Sequence, residues 1–236
     1  MKTIQRNARF AGVLYLIITV AAIIAHMYVP STIIVPEDAA ATVNNIKNSE
    51  TLFRFGGIGG ELIILLSELV LAVLLYELLK PVNKTLSAMA AISRLMMTTI
   101  HGMNLINYFF VLILVSGAGF LSAFEAGELN SLVMLFLEAH SIGFTIGIAF
   151  LTVHVFVLGY LIVKSGYFPK VLGILFIIAG LGYLLDSFAL LLLPSYQTTP
   201  IYFALPIAIA EIAFPLWLLI KGVNKEGYQA RIASAD

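Results

Sequence analysis

The chain has 236 residues, of which 61% are hydrophobic and only 11% charged, with a mean hydropathy of +1.02 and a formal net charge of zero. A soluble domain carries about a quarter charged residues, so this composition excludes one, and a neutral chain lacks the basic surface that nucleic-acid binding needs. With no cysteine, disulfides, iron–sulfur clusters, thiolate metal sites and cysteine nucleophiles are excluded by inventory, so any metal must sit on histidine and carboxylate.

In chain order, Lys2, Arg6 and Arg9 precede an apolar run over 10–29. The run is too long for a signal peptide, and its small-residue site ending at Ala25 has the bulky Ile23 two places before it, so it reads as an uncleaved first span. A loop over 30–51 follows, in which Asp38 precedes AAATVNNIKN and is placed to cap a short helix on the membrane surface. Further apolar stretches lie at 52–79, 85–119, 131–163, 171–193 and 201–220. In the tail over 221–236, KEGYQARIASAD (225–236) is expected to be disordered and too short for a soluble domain.

These stretches predict an all-α fold: one polytopic membrane domain over 1–236, a bundle of six transmembrane helices. Basic residues near span ends are retained on the cytoplasmic side. With the N-terminus inside, ten of the thirteen Lys and Arg fall on that side and only Lys47 lies in an outside loop. The expected topology therefore has both termini cytoplasmic and the 30–51 loop external. No internal repeat marks an inverted-repeat transporter.

The segments ARFAGVLYLII, DAAATVNNI with LFRFG soon after, LLYELLKPVNKTLS and KSGYFPKVLGILFIIAGLGYLLDSF, matching in order over nearly the whole chain, resemble a bacterial multi-pass membrane family catalogued as domain of unknown function 4386. The resemblance implies a bacterial inner-membrane protein and transfers no activity and no catalytic residue.

A charge in hydrocarbon costs at least ~2.5–3.5 kcal/mol, so each intramembrane ionisable group needs a partner, a water cavity or a function. Six carboxylates (Glu61, Glu68, Glu77, Glu138, Asp186 and Glu211) against Arg54 and Arg94 fall within the spans. Arg54, Glu61 and Glu68 recur every seven residues on the second span, and Arg94, His101 and Tyr108 do so on the third. The short KPVNK turn makes the two antiparallel, so positions equally distant from Pro81 lie at equal depth. Glu68 is expected opposite Arg94 as a stabilising ion pair, Glu61 opposite His101, and Arg54 near Tyr108. The ladder reads either as a clasp fixing the hairpin or as a clasp below a working proton- or ligand-binding pair. The neighbouring glycines of GGIGG, Gly56 to Gly60, are expected to allow close helix approach rather than to cradle phosphate.

The fourth span carries Glu138, His140 and His154, with Gly143 and Gly147 between the histidines. Haem ligation is disfavoured, since the partners on offer, His26 and His101, are mismatched in depth by roughly 8–9 Å at 1.5 Å per residue. Asp186 and Glu211 fall near mid-membrane, and Asp186 reads alternatively as bonding backbone freed by Pro206 or Pro215. Convergence of Glu61, His101, His140, Asp186 and Glu211 would suit a proton-coupled binding site, or a zinc-type site. No HExxH or Gly-x-Ser-x-Gly motif is present, so a protease or hydrolase reading has no local signature.

The leading expectation is a membrane protein that binds or transports a small ligand or proton-coupled solute at this buried site. The alternatives are an intramembrane metal-dependent enzyme acting on lipid, and a non-catalytic membrane partner protein whose polar ladder is structural. No cofactor is expected. The bilayer is the expected partner, with a small-molecule ligand and a homo-oligomer left open.

Overall fold

The computed structural model describes residues 2–233, which are helical apart from turns and contain no strand. Six helices are long and apolar enough to cross a membrane: α1 (Lys2–Ile33), α3 (Leu52–Leu79), α4 (Lys84–Val115), α5 (Ala126–Ser165), α6 (Lys170–Leu192) and α7 (Ile201–Ile220). Two shorter ones, α2 (Ala39–Asn48) and α8 (Lys225–Ala233), precede α3 and follow α7. Long Leu, Ile, Val and Phe runs take this form because a helix satisfies its own backbone groups where no water can.

The turns follow local chemistry. Asp38 Oδ1 accepts from Ala41 N at 2.8 Å and starts α2; Asn83 Oδ1 accepts from Leu86 N at 2.9 Å and starts α4. Pro169 and Pro200 stand immediately before α6 and α7, where their fixed φ suits helix entry. Gly222, at φ +65°, turns the chain out of α7, a conformation that side chains resist.

Two stretches are wound as π-helix, Ile23–Tyr28 within α1 and Leu52–Gly59 within α3. A π-turn inserts an extra residue, so side chains before it are rotated away from the stripe that α-helical spacing extrapolates.

The chain divides into two compact units. The first comprises Met1–Ile17, Leu66–Thr99 and Thr145–Asp236. Its interior is built on Tyr15, Leu71, Leu78, Leu158, Phe176 and Phe214, all almost fully buried. Here α5 and α6 meet at Gly159 and Gly173: a Cβ on Gly159 would lie 2.7 Å from Gly173 O, and one on Gly173 would lie 2.5 Å from Gly159 O. That backbone approach is available only to glycine.

Of the stretch 225–236 expected to be disordered, residues 225–233 are instead helical and docked within this unit, and 234–236 lie outside the described residues. Gln5 Nε2 donates to Lys221 O (2.8 Å) and Gln5 Oε1 accepts from Val223 N (3.0 Å), fixing the entry to α8. Arg231 Nη2 donates to Val82 O at 3.0 Å, and Tyr228 packs edge-on against Tyr167. Composition alone misread this tail because these anchors lie far away in sequence.

The second unit comprises Ile18–Leu65 and Ile100–Phe144, around a core of Val29, Ile33, Ile46, Phe53, Tyr108, Val111 and Leu137. In it, GGIGG lets α3 approach α1. A Cβ on Gly60 would lie 3.0 Å from the Ala25 Cβ, and one on Gly56 would lie 2.9 Å from a Val29 methyl.

Candidate functional site

Polar groups are buried in both units. In the second, Glu61 is 2% exposed. Its Oε1 lies 3.4 Å from His26 Nδ1 and 3.5 Å from His140 Nε2. Both separations exceed the ~2.7–2.9 Å of a charge-assisted hydrogen bond, and this oxygen has no hydrogen-bond partner among the described residues. His101 is within electrostatic reach of Glu61 and of His26, and its Nε2 lies 3.0 Å from Phe144 O.

Aromatic rings hold the imidazoles in place. Tyr108 stacks on His140 at 3.7 Å with an interplanar angle of 13°. Phe144 stacks on His101 at 4.8 Å and lies tilted against His26 at 4.6 Å. Asn104 Nδ2 donates to His140 O at 2.8 Å, and a Cβ on Gly143 would lie 2.1 Å from Asn104 Oδ1, so Gly143 leaves room for that amide. A buried carboxylate oxygen spaced off two imidazole nitrogens can hold a proton in more than one position. Among the described residues, no group of three or more His, Asp or Glu has the arrangement that holds a metal ion.

In the first unit Arg94 is the centre. Its Nε donates to Glu68 Oε2 and its Nη2 to Glu68 Oε1 at 3.0 Å, a bidentate pair. Nη1 reaches Tyr15 Oη at 3.1 Å and His154 Nε2 at 2.8 Å. An arginine only donates, so His154 Nε2 accepts and its Nδ1–H donates to Ala90 O at 2.9 Å. With both ring nitrogens engaged, His154 is not free to ligate haem or metal. Glu211 lies within electrostatic reach of Arg94 and Glu68, with the Tyr183 hydroxyl as its hydrogen-bonding neighbour.

Asp186 has a different setting in the same unit. It accepts from Tyr196 Oη at 2.6 Å and Thr199 Oγ1 at 2.8 Å, residues of the turn before α7, rather than from backbone beside Pro206 or Pro215. Outside the spans, burial and this bond to Asp186 push the Tyr196 phenol up to about 12.

Of the residues singled out from sequence, Glu61, His101 and His140 share the second unit, whereas Asp186 and Glu211 belong to the first in two distinct settings. His26 and Asn104 were not selected as site residues. A lone histidine near a span end carries no spacing signal, and the π-turn over Ile23–Tyr28 that contains it is not visible in composition. Arg54, expected near Tyr108, instead pairs with Glu50 at 2.7 Å while Phe53 packs on Tyr108. The seven-residue stripe ends at the π-turn of Leu52–Gly59, which turns Arg54 outward.

A protein from Archaeoglobus fulgidus described as uncharacterised is 29% identical over 163 residues, which cover 69% of this chain and 82% of that relative. No solved structure matches the chain. Residues 10–222 match the family described as "Domain of unknown function (DUF4386)", and the chain, a helical protein with six membrane-length spans, belongs to that family.

Proposed function

We propose that this membrane protein binds a proton, and through it couples to a small solute, at the Glu61 site formed with His26, His140 and His101. The observation that carries the reading is the Glu61 carboxylate oxygen. It is buried and without a hydrogen-bond partner among the described residues, yet has imidazole nitrogens at 3.4 and 3.5 Å. An ionised group left this way in hydrocarbon is costly unless it exchanges a proton with its neighbours or receives a ligand. The Glu68–Arg94 pair serves as the stabilising clasp, while Glu211 and Asp186 act in separate acidic settings of the first unit.

The whole chain acts as one transmembrane domain in a bacterial inner (plasma) membrane. Both termini are cytoplasmic, since that orientation retains ten of thirteen basic residues inside. Proteoliposomes loaded with a pH-sensitive dye test the function. Wild-type protein is expected to admit protons down an imposed gradient, and Glu61→Gln to reduce the rate at least tenfold without loss of folded protein. Equal rates in the two would overturn the reading. A stoichiometric metal in the purified protein, lost in His26→Ala/His140→Ala, would instead favour a metal-dependent enzyme acting on lipid.

A further inference from the structure

A second site lies at the start of α1. A surface pocket of about 390 Å³ is lined by Lys2, Gln5, Arg6, Arg9 and Lys225, four cations with no carboxylate among them. None of the four forms a salt bridge among the described residues. Such convergence is unfavourable by like-charge repulsion unless an anion occupies it. Yet the fold enforces it, because Gln5 pins Lys221 and Val223 and thereby brings α8, which begins at Lys225, to the cationic turn. Gly222 is favoured there by its positive φ of 65°, which side chains resist.

The same helix face identifies the anion. Positions 2, 6, 9, 10, 13 and 17 fall within one ~100° arc of α1 at 100° per residue. The arc reads Lys2, Arg6, Arg9 and then Phe10, Val13 and Ile17, the last three exposed by 48%, 41% and 41%. The opposite face, Ala8, Ala11 and Tyr15, is buried. A basic cup continued by an exposed apolar stripe matches a phosphate headgroup with acyl chains attached. Arginine supplies the planar donors that phosphate oxygens accept. We infer that this pocket is a binding site for the phosphate of an anionic phospholipid, with the acyl chains lying along Phe10, Val13 and Ile17.

Native mass spectrometry of the full chain in neutral detergent tests this, titrated separately with phosphatidylglycerol, phosphatidylcholine and inorganic phosphate. Phosphatidylglycerol should be retained in preference to phosphatidylcholine. Each basic residue near a membrane surface is worth about fivefold in affinity. Arg6→Gln/Arg9→Gln/Lys225→Gln should therefore weaken phosphatidylglycerol binding on the order of a hundredfold, and Arg6→Gln alone about fivefold. The single variant alters one exposed side chain and carries the test should the triple one not fold. A control of equal charge change elsewhere, Lys47→Gln/Lys84→Gln/Lys164→Gln, should leave binding within about twofold. Equal retention of the two lipids, or an equal loss in the control, would overturn the site. Saturation by inorganic phosphate without preference between the lipids would overturn the lipid as its source.

Discussion

Replacing Glu68 by alanine tests the buried network most severely. The substitution strips both acceptors from Arg94 Nε and Nη2 and leaves the guanidinium with Tyr15 and His154 at 3.1 and 2.8 Å, both neutral hydrogen-bond partners. Removing one member of a buried ion pair costs about 3–5 kcal/mol. Glu211, within reach of Arg94, offsets part of this, so the lower end, about 3 kcal/mol, is expected. At roughly 2–4 °C per kcal/mol for a chain of this size, the melting midpoint should fall by about 6–12 °C. Size-exclusion chromatography of detergent-solubilised protein after graded heating measures it. Glu68→Leu/Arg94→Met removes both charges and should melt above Glu68→Ala, because the uncompensated charge carries most of the cost. A Glu68→Ala midpoint within about 2 °C of wild type, or a double variant melting below Glu68→Ala, would refute this.

Gly143→Ala should cost about 1–3 kcal/mol and disturb the Glu61 site, since the new methyl would displace the Asn104 amide that holds His140 O; a midpoint unchanged from wild type would contradict this. Gly159→Val should separate α5 from α6 and lower the yield of monodisperse protein well below that of Gly127→Val, where an added Cβ meets nothing within 4 Å, whereas equal yields would count against the backbone contact. In a spectrophotometric titration, the phenol lost in the difference between wild type and Tyr196→Phe should ionise near pH 12. Because the folded value is raised, the neutral phenol's contribution is complete below about pH 10 and is lost as pH rises through about 12. A midpoint near the ordinary value of about 10 would show that Tyr196 does not donate to Asp186.

The six spans were legible because apolar runs of this length have few alternatives in a chain so poor in charge. The Asp38 cap was legible because capping needs one side chain and a backbone a few residues on. The contact between Glu68 and Arg94 follows from seven-residue spacing on two helices joined by a short turn, both α-helical at those depths. Arg54 fails the same arithmetic because Leu52–Gly59 is wound differently. His26 and Asn104 had no periodic signal, since their relevance arises from where a π-turn and a glycine gap admit them. The α8 helix was hidden for a related reason: a short polar segment is stable only through the distant groups it docks on, here Gln5, Val82 and Tyr167.

The proposed function rests on proton exchange between Glu61 and the imidazoles around it. Infrared difference spectroscopy of purified protein between about pH 5 and pH 8, the range in which histidine titrates, tests it most directly. Wild-type protein should show imidazole and carboxylate bands that change together across this range, and these should be lost in Glu61→Gln and shifted in His140→Ala. A spectrum in which Glu61→Gln removes no pH-dependent carboxylate signal would contradict that exchange and leave Glu61 as a fixed structural charge.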